Sequence, residues 1–179
     1  NCPKSQKPKC IRRLHNSLGI SKKKKIVLYQ GGFQKGRGIE SLLKVFAENE
    51  DKTHVLVLMG YGDLEPLIRK HVQKYDNIYA HAAVAPEMVL QYTASADIGV
   101  SYIDNPSLND RFCLPNKLFE YIMAKLPVIV NDAPEMRRVV NEHQIGCVIQ
   151  GDLTVESCNK ALESISQVDP QIMRRNLKV

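Results

Sequence analysis

The feature that most constrains the fold of this chain is the alternation of short apolar runs with segments of helical periodicity. Residues 26–30 (IVLYQ) and 54–59 (HVLVLM) are largely apolar, which is typical of strands buried on both faces of a sheet. Between these two runs, Ile39, Leu42 and Phe46 recur at the spacing of one helix face. The alternation predicts a doubly wound α/β fold, with a mainly parallel sheet of about six strands and helices on both faces.

Periodicity and turn residues predict the bounds of the individual elements. Strands are expected at 26–30, 54–59, 77–82, 97–102, 127–130 and 146–149. Helices are expected at 39–47, 64–72, 87–95, 115–125, 133–140 and 154–165. Asp63 is predicted to cap the second of these helices, and Asp132 and Glu135 to form a capping box at the fifth. Pro115 is placed in a first-turn position, and residues 103–114 are predicted to be a loop.

Positive charge is concentrated near the N-terminus. The 179 residues carry 25 Lys and Arg against 19 Asp and Glu, a formal net charge of +6. Residues 1–25 hold nine of these basic side chains and no acidic one, so the remainder of the chain has a net charge of −3. Leu14 and Leu18, with the neighbouring arginines, predict one short amphipathic helix in this segment. The segment lacks interleaved aromatic residues and any nucleic-acid motif, which favours a solvated linker over a nucleic-acid site.

Several classes of protein are excluded or disfavoured by composition. No apolar run approaches the ~20 residues of a membrane-spanning helix. The five cysteines are widely spaced without a CxxC pair, which predicts reduced thiols and a cytosolic setting. No cluster of His, Asp and Glu indicates a bound metal ion.

Ligand sites in sheets of this class lie outside the carboxyl ends of the strands, near the switch in strand order. Candidate binding and catalytic residues are therefore sought in the loops that follow the predicted strands. These loops are 31–38, 60–63, 82–87, 103–116 and 131–134.

The loop at 31–38 reads GGFQKGRG and joins the first strand to a helix. Glycines let the backbone approach a ligand closely, a helix N-terminus attracts anions, and Lys35 and Arg37 add positive charge. The loop therefore suits a phosphate-bearing ligand, although it is neither a Walker A loop nor a GxGxxG fingerprint. An ordinary glycine-rich turn with solvated cations fits the same pattern.

The segment at 115–121 reads PNKLFEY and places Lys117 and Glu120 on one face of a helix. An anionic group at this helix start would meet Lys117 and free backbone amides, while Glu120 would accept hydrogen bonds from hydroxyls. A solvated surface pair is the alternative interpretation. His81, at the end of the third strand, is interpreted as structural rather than catalytic.

Four segments stand in a specific order along the chain. They are YQGGFQKGRGIESLL, LMGYGDLEPL, ASADIGVSYI and LPNKLFEYIMAKLPVIVND. Together they resemble the C-terminal half of retaining, GT-B-type glycosyltransferases of the group-one family. The resemblance covers roughly residues 26–150, and its most specific part is PNKxxEY followed by an apolar PVI strand. In that family two Rossmann-like domains face each other across a cleft, and the C-terminal domain binds the nucleotide-sugar donor.

This resemblance implies a division of the chain into three parts. Residues 1–25 would be a basic interdomain-linker remnant with a short helix, 26–166 a Rossmann-like donor-binding domain, and 167–179 the start of a truncated C-terminal helix. The implied activity is retaining transfer of a hexosyl group from a UDP- or GDP-sugar to a sugar or lipid-linked acceptor. A missing N-terminal domain would bind the acceptor, so this fragment alone is expected to be inactive.

The family's usual setting implies polysaccharide biosynthesis in the cytoplasm, with peripheral contact at the membrane face. It also implies a metal-independent site without a cofactor, in which the nucleotide sugar is a substrate. Nucleic acid is not an expected partner.

The resemblance also assigns roles to individual residues. Arg37 matches the cation that contacts the donor diphosphate, Glu120 the carboxylate that holds the ribose hydroxyls, and Val84 the position whose backbone meets the base. Arg37 and Lys117 are predicted to be catalytic, because cations at the departing nucleoside diphosphate stabilise its developing charge. The remaining predicted donor contacts are Gly31 and Gly32 in the glycine loop and Leu114, Pro115 and Asn116 at the helix start.

The sequence departs from the family's pattern at three positions. Gly32 stands where many members have an arginine, and we hypothesise that Lys117 supplies the missing cation. Phe112 stands where many members have a glutamate that contacts the donor sugar, so recognition of the sugar does not transfer. Leu126 stands where a glycine is common.

Two other functions remain open at the level of sequence. A nucleotide-sugar 2-epimerase has the same architecture, and His81 and Asp110 are its candidate residues here. A non-catalytic module that binds polyanions through residues 1–25 is the second alternative.

Overall fold

The computed structural model describes residues 12–104, 112 and 114–178. The strands in this part of the chain are β1 Lys25–Gly32, β2 His54–Tyr61, β3 Ile78–Ala82, β4 Ile98–Ser101, β5 Val128–Asn131 and β6 Gly146–Ile149. The helices there are α1 Arg13–Leu18, α2 Ile39–Glu48, α3 Glu65–Lys74, α4 Pro86–Thr93, α5 Asn116–Met123, α6 Pro134–His143, α7 Val155–Gln167 and α8 Pro170–Asn176.

The six strands form one sheet in the order β3-β2-β1-β4-β5-β6, and every pair is parallel. The chain builds outward from β1 to β3 and then returns to place β4 on the other side of β1. The strand order therefore reverses between β1 and β4, which is the switch point of a doubly wound sheet. The predicted Rossmann-like α/β fold is confirmed.

Alternate residues of the central strands supply two separate hydrophobic cores, one on each face of the sheet. Tyr29 and Leu58 belong to the core covered by α2, α3 and α7. Leu28 and Val57 belong to the opposite core, which α1, α5, α6 and α8 cover. Because each strand is buried on both faces, its sequence is nearly continuously apolar, as the sequence pattern indicated.

Tyr121 fixes α5 against the middle of the sheet. Its hydroxyl accepts a hydrogen bond from the Gln30 amide at 3.1 Å and lies 3.0 Å from the Leu28 carbonyl oxygen, to which it donates. The same hydroxyl is 3.2 Å from the carbonyl oxygen of Val100 on β4. The Tyr121 ring packs directly over Gly99, where a Cβ atom would overlap the ring. The glycine of β4 is thus what allows α5 to approach the sheet.

Three predicted helix starts are wrong in detail. Glu65 opens α3 instead of a helix capped by Asp63, and the Glu65 carboxylate accepts the Gly62 amide at 3.2 Å. Asp132 does not cap α6; its carboxylate bonds Arg137 at 2.8 Å. Pro115 is the N-cap of α5 rather than a first-turn residue. In contrast, Thr154 caps α7 in a capping box with Ser157.

The ends of the described chain both pack on the sheet. The amphipathic helix predicted near the N-terminus is present as α1, with Leu14 fully buried and Arg12 exposed. At the other end, α8 buries Met173, and Leu177 follows it into the same core. The division at residues 25 and 166 into linker, domain and truncated helix stays a prediction. Of the predicted loop at 103–114, residues 105–111 and 113 lie outside the described residues.

The close approach of Tyr121 to Gly99 leads to a stability prediction. Gly99→Ala should destabilise the fold by about 2–4 kcal/mol, because the added methyl group must displace a fully buried ring. Gly32→Ala is the matched control, since its Cβ atom would meet nothing closer than 3.8 Å and the position is exposed. Urea unfolding of both variants measures the difference. Equal stability of the two variants would contradict this account of the α5 position.

Candidate functional site

A cleft of about 270 Å³ opens at the carboxyl ends of β1 and β2, beside the switch point of the sheet. Gly31, Gly32 and Val84, three of the predicted site residues, line it together with Glu120. These residues come from the end of β1, the loop after β3 and helix α5, and only the fold brings them together. A second groove, of about 300 Å³, lies at the opposite edge, near the amino ends of the strands. It contains none of the predicted site residues.

The glycine loop is folded tightly against the turn after β2. The Phe33 amide donates to the Tyr61 carbonyl at 2.7 Å, and the Leu64 amide donates to the Phe33 carbonyl at 3.0 Å. A Cβ atom at Gly62 would lie 2.7 Å from the Phe33 carbonyl oxygen, so the turn requires a glycine there. Phe33 is buried, whereas Gly31 and Gly32 are exposed to the cleft.

The end of the glycine loop is anchored on the segment after β4. The Asp104 amide donates to the Gly36 carbonyl at 3.1 Å, and Ser41 donates to the Asp104 carboxylate at 2.7 Å. Gly38, with φ of 78°, packs against the backbone of Tyr102 and is the N-cap of α2. The N-terminus of α2 therefore follows directly on the loop, which is the arrangement that attracts anions.

Lys117 lies in a half-buried place on this rim rather than in open solvent. Its ammonium nitrogen is 3.8 Å from the centre of the Tyr29 ring, a cation–π contact. The end of its side chain also lies beside Gly31, within 4.0 Å of the Cβ position there. The pKa of Lys117 is lowered to about 7, chiefly by burial and secondly by the like charge of Arg37, while the charge of Glu120 opposes the shift. The alternative of a solvated Lys–Glu surface pair is therefore wrong for Lys117.

Tyr29 connects the two predicted cations electrostatically. The pKa of Tyr29 is raised to about 12, chiefly by burial. The charge of Arg37 opposes this shift, and the charge of Glu40 adds to it. The Tyr29 hydroxyl donates to the Gly32 carbonyl at 2.9 Å, which holds the end of β1 in place. Because Arg37 acts on both Tyr29 and Lys117, it belongs to the same positively charged region of the rim.

Glu120 lines the cleft beside Gln30. Its carboxylate accepts a hydrogen bond from the side-chain amide of Gln30, which is only 3% exposed at the end of β1. The Gln30 carbonyl oxygen is in turn 2.7 Å from the hydroxyl of the fully buried Thr93 on α4. Sequence analysis missed Gln30 and Thr93. The available signal was a polar residue closing the apolar run IVLYQ.

The other predicted residues lie around the cleft in different ways. Leu114 and Pro115 are partly buried at the start of α5, and Asn116 is exposed there. No side chain among the described residues caps the α5 N-terminus, so its first amides face the rim. His81 bonds the Ala82 carbonyl at 2.7 Å, consistent with a structural role. Asp110, the second candidate for epimerase chemistry, lies outside the described residues.

Two properties of the described residues as a whole bear on the site. Among the residues that the structure describes, no group of three or more His, Cys, Asp or Glu side chains is placed to hold a metal ion. No helix in the same part of the chain is both long enough and apolar enough to cross a membrane.

Comparison with known proteins identifies the family. The family model for group 1 glycosyl transferases matches residues 11–178, which is nearly the whole chain. The chain belongs to the group 1 glycosyltransferase family. A search of curated proteins found no match to the sequence. The family assignment confirms the resemblance to the group 1 family that the ordered motifs indicated.

Solved structures of other glycosyltransferases share the fold of this group 1 chain. The Anabaena protein HepE, crystallised with UDP-glucose, superposes with a TM-score of 0.74 at 16% identity, over 96% of this chain and 46% of HepE. WaaG, of lipopolysaccharide biosynthesis, gives 0.70 at 18% identity over 96% of this chain and 46% of WaaG. The catalytic domain of the Helicobacter pylori cholesterol-α-glucosyltransferase gives 0.65 at 17% identity, over 86% and 94% of the two chains.

These coverages show how the chain relates to its neighbours in length. It spans about half of HepE and of WaaG. At identities of 16–18% the superpositions establish the shared fold of GT-B glycosyltransferases, and residue roles need separate evidence.

The environment of Lys117 leads to a prediction about stability and pH. The pKa of the Lys117 side chain is about 7 in the folded state and about 10.4 in the unfolded chain, so folding disfavours its ammonium form. The unfolded state therefore binds more protons between these values, and the stability of the native chain should rise as pH rises from 7 to 10. Lys117→Met removes this penalty and should stabilise the fold at pH 6, on the order of a few kcal/mol.

Urea unfolding of Lys117→Met and the native chain at pH 6, 8 and 9.5 tests this prediction. The advantage of the variant should shrink as pH rises. Lys44→Met, at an exposed position on α2, is the matched control and should show no such trend. An advantage of Lys117→Met that is absent or independent of pH would contradict the buried ammonium.

Proposed function

We propose that this chain is the donor-binding half of a retaining glycosyltransferase that uses a UDP- or GDP-linked sugar. The observation that carries the proposal is a cleft lined by the glycine loop and Glu120, with Lys117 beside Gly31 at its rim and Arg37 close enough to interact with that lysine. A nucleoside diphosphate has matching parts: phosphates for the cations and amides, hydroxyls for the carboxylate, and a flat base. The membership of the group 1 family supports the same substrate class.

The proposed pose runs along the carboxyl edge of the sheet. The diphosphate lies over Gly31 and Gly32, between the N-terminus of α2 and that of α5. The ribose hydroxyls bind Glu120, and the base lies against the backbone near Val84. All four of these residues line one cleft, so a single ligand can reach them.

The chemistry follows from where charge develops. Breaking the bond between the sugar and the diphosphate leaves negative charge on the departing nucleoside diphosphate. Lys117 and Arg37 stabilise that charge, and Lys117 does so in a half-buried place where its effect exceeds that in water. A diphosphate beside Lys117 also raises its pKa, so binding draws a proton onto this amine near neutral pH.

The comparisons support the donor class. HepE was crystallised with UDP-glucose and, separately, with UDP and glucose. The pneumococcal O-GlcNAc transferase GtfA was crystallised with UDP and GlcNAc, and its fold superposes on this chain with a TM-score of 0.65. These structural similarities and the cleft of this chain are the grounds on which we propose a nucleotide-sugar donor for it.

Further parts of the proposal concern the whole protein. An N-terminal domain would bind a sugar or lipid-linked acceptor and complete the cleft, the donor site would operate without a metal ion, and the setting would be polysaccharide assembly. A hexosyl donor, a cytoplasmic location and peripheral membrane contact stay predictions.

Titration of the chain with UDP, GDP and ADP tests the proposed function. We expect weak binding of UDP or GDP by calorimetry or NMR, and no sugar transfer by this chain alone. Chemical-shift changes should fall on residues around the cleft, including Gly31 and Val84. Failure of all three nucleotides to bind at millimolar concentration would reject the proposed function. Epimer formation by the full-length protein, without transfer to an acceptor, would favour the epimerase alternative.

The role of Glu120 is tested separately. Glu120→Ala should weaken nucleoside diphosphate binding by about 10- to 100-fold, since hydrogen bonds to a charged acceptor contribute about 1.5–3 kcal/mol. Binding of pyrophosphate, which has no ribose, should change less than about twofold. Glu48→Ala, at an exposed position at the end of α2, is the matched control for a lost carboxylate. Equal losses for both ligands would contradict a ribose contact.

A further inference from the structure

We propose that Gln30 is a positioning residue for donor binding: it holds the Glu120 carboxylate in the orientation that receives ribose hydroxyls, and Thr93 fixes the Gln30 amide. The inference rests on the proposed function, because it assigns Gln30 and Thr93 a role only if Glu120 contacts a ribose. Gln30 lies in one of the segments that carry the family resemblance, but the resemblance assigns no role to Gln30 or to Thr93.

The geometry is a chain of three side chains from three elements. Gln30 ends the buried part of β1, and its side-chain nitrogen donates to Oε2 of Glu120 on α5. Its carbonyl oxygen, Oε1, lies 2.7 Å from Oγ1 of Thr93 on α4. Gln30 is 3% exposed and Thr93 is fully buried, so water does not substitute for either partner. The backbone of Gln30 is fixed as well, since its amide donates to the Tyr121 hydroxyl at 3.1 Å.

The chemistry of the three groups allows one orientation of the Gln30 amide. An ionised carboxylate only accepts hydrogen bonds, so the NH₂ group of Gln30 must face Glu120. The carbonyl oxygen then faces Thr93 and needs a donor, which the hydroxyl supplies. The Thr93 hydroxyl is also 2.8 Å from the Val89 carbonyl, but donation there would place two oxygen lone pairs against each other at Gln30. The Glu120 carboxylate therefore sets the amide orientation, and Thr93 stabilises it by donating to the carbonyl oxygen.

In this arrangement the Glu120 carboxylate can accept hydrogen bonds both from the protein and from the cleft side. Oε2 is bonded from the protein side by Gln30, and the remaining acceptor capacity of the carboxylate is directed to the cleft. A carboxylate fixed before the ligand arrives loses less rotational freedom on binding than a mobile one. Gln30 also cannot rotate to compete for the ligand's hydroxyls, since Thr93 holds its other end.

A purely structural role for the three residues predicts different behaviour. The same hydrogen bonds could serve only to tie β1 to α4 and α5, in which case their loss would affect every ligand of the cleft alike. A positioning role acts through Glu120 and must depend on the ribose hydroxyls. Ligands that differ only in those hydroxyls therefore separate the two roles.

The experiment compares dissociation constants of the native chain and Gln30→Met for UDP, for 2′,3′-dideoxy-UDP and for pyrophosphate, with the guanosine analogues used instead if GDP binds more tightly. Methionine keeps the length of the side chain and removes the amide. We expect Gln30→Met to weaken UDP binding by about 5- to 20-fold. The dissociation constants of dideoxy-UDP and pyrophosphate should change by less than about twofold. The double variant Gln30→Met, Glu120→Ala should bind UDP no more weakly than Glu120→Ala alone.

A pair of substitutions at Thr93 tests the orienting step and remains informative if Gln30→Met fails to fold. Thr93→Val is nearly isosteric and removes the hydroxyl, and it should weaken UDP binding by about threefold or more. Thr93→Ser keeps the hydroxyl and should restore the native affinity for UDP. The dideoxy nucleotide should bind the native chain, Thr93→Val and Thr93→Ser with equal affinity.

Equal loss of UDP and dideoxy-UDP binding in these variants, or no loss for UDP, would overturn the positioning role while leaving the proposed function in place. Failure of the native chain to bind any nucleoside diphosphate would instead reject the proposed function itself.

Discussion

A single buried hydroxyl, that of Tyr121, ties α5 to the sheet at the point where the strand order reverses. It bonds β1 at Gln30 and Leu28 and reaches β4 at Val100, so one side chain joins the two strands that border the switch point. The ring above Gly99 sets how closely α5 approaches. Glu120 precedes Tyr121 directly, and the start of α5 lies one turn earlier. The position of the cleft's carboxylate therefore depends on a packing contact that takes no part in its chemistry.

The same helix carries a lysine into an environment that disfavours its charge. Lys117 lies over the Tyr29 ring, close enough to Arg37 for the two positive charges to interact, and its pKa falls to about 7. Folding thus keeps two cations near each other at a cost in stability. An anion placed between them would remove that repulsion, and little reorganisation would be needed because the side chains are already in place. If Lys117 binds the donor diphosphate as proposed, stability and ligand affinity are in opposition at this residue.

Much of the fold could be predicted from the sequence, since every core strand is buried on two faces and its apolar run is unambiguous. The six strands lie within about two residues of their predicted bounds. The predicted caps at Asp63 and Asp132 failed because local rules do not include competing partners: Glu65 takes the Gly62 amide, and Arg137 takes the Asp132 carboxylate. Gln30 and Thr93 were missed because they are 63 residues apart and meet only through tertiary packing.

The departure of Gly32 from the family's pattern gains a physical interpretation from the position of Lys117. The end of that lysine lies beside Gly31, the residue that precedes Gly32 on β1. The hypothesis that Lys117 supplies the missing cation therefore has a geometric basis. It also has a mechanical consequence. A cation on the strand end would be fixed independently of α5, whereas Lys117 and Glu120 share one helix. Any shift of α5 must then move the groups proposed to bind phosphate and ribose together, so the two proposed contacts would form or fail as a unit.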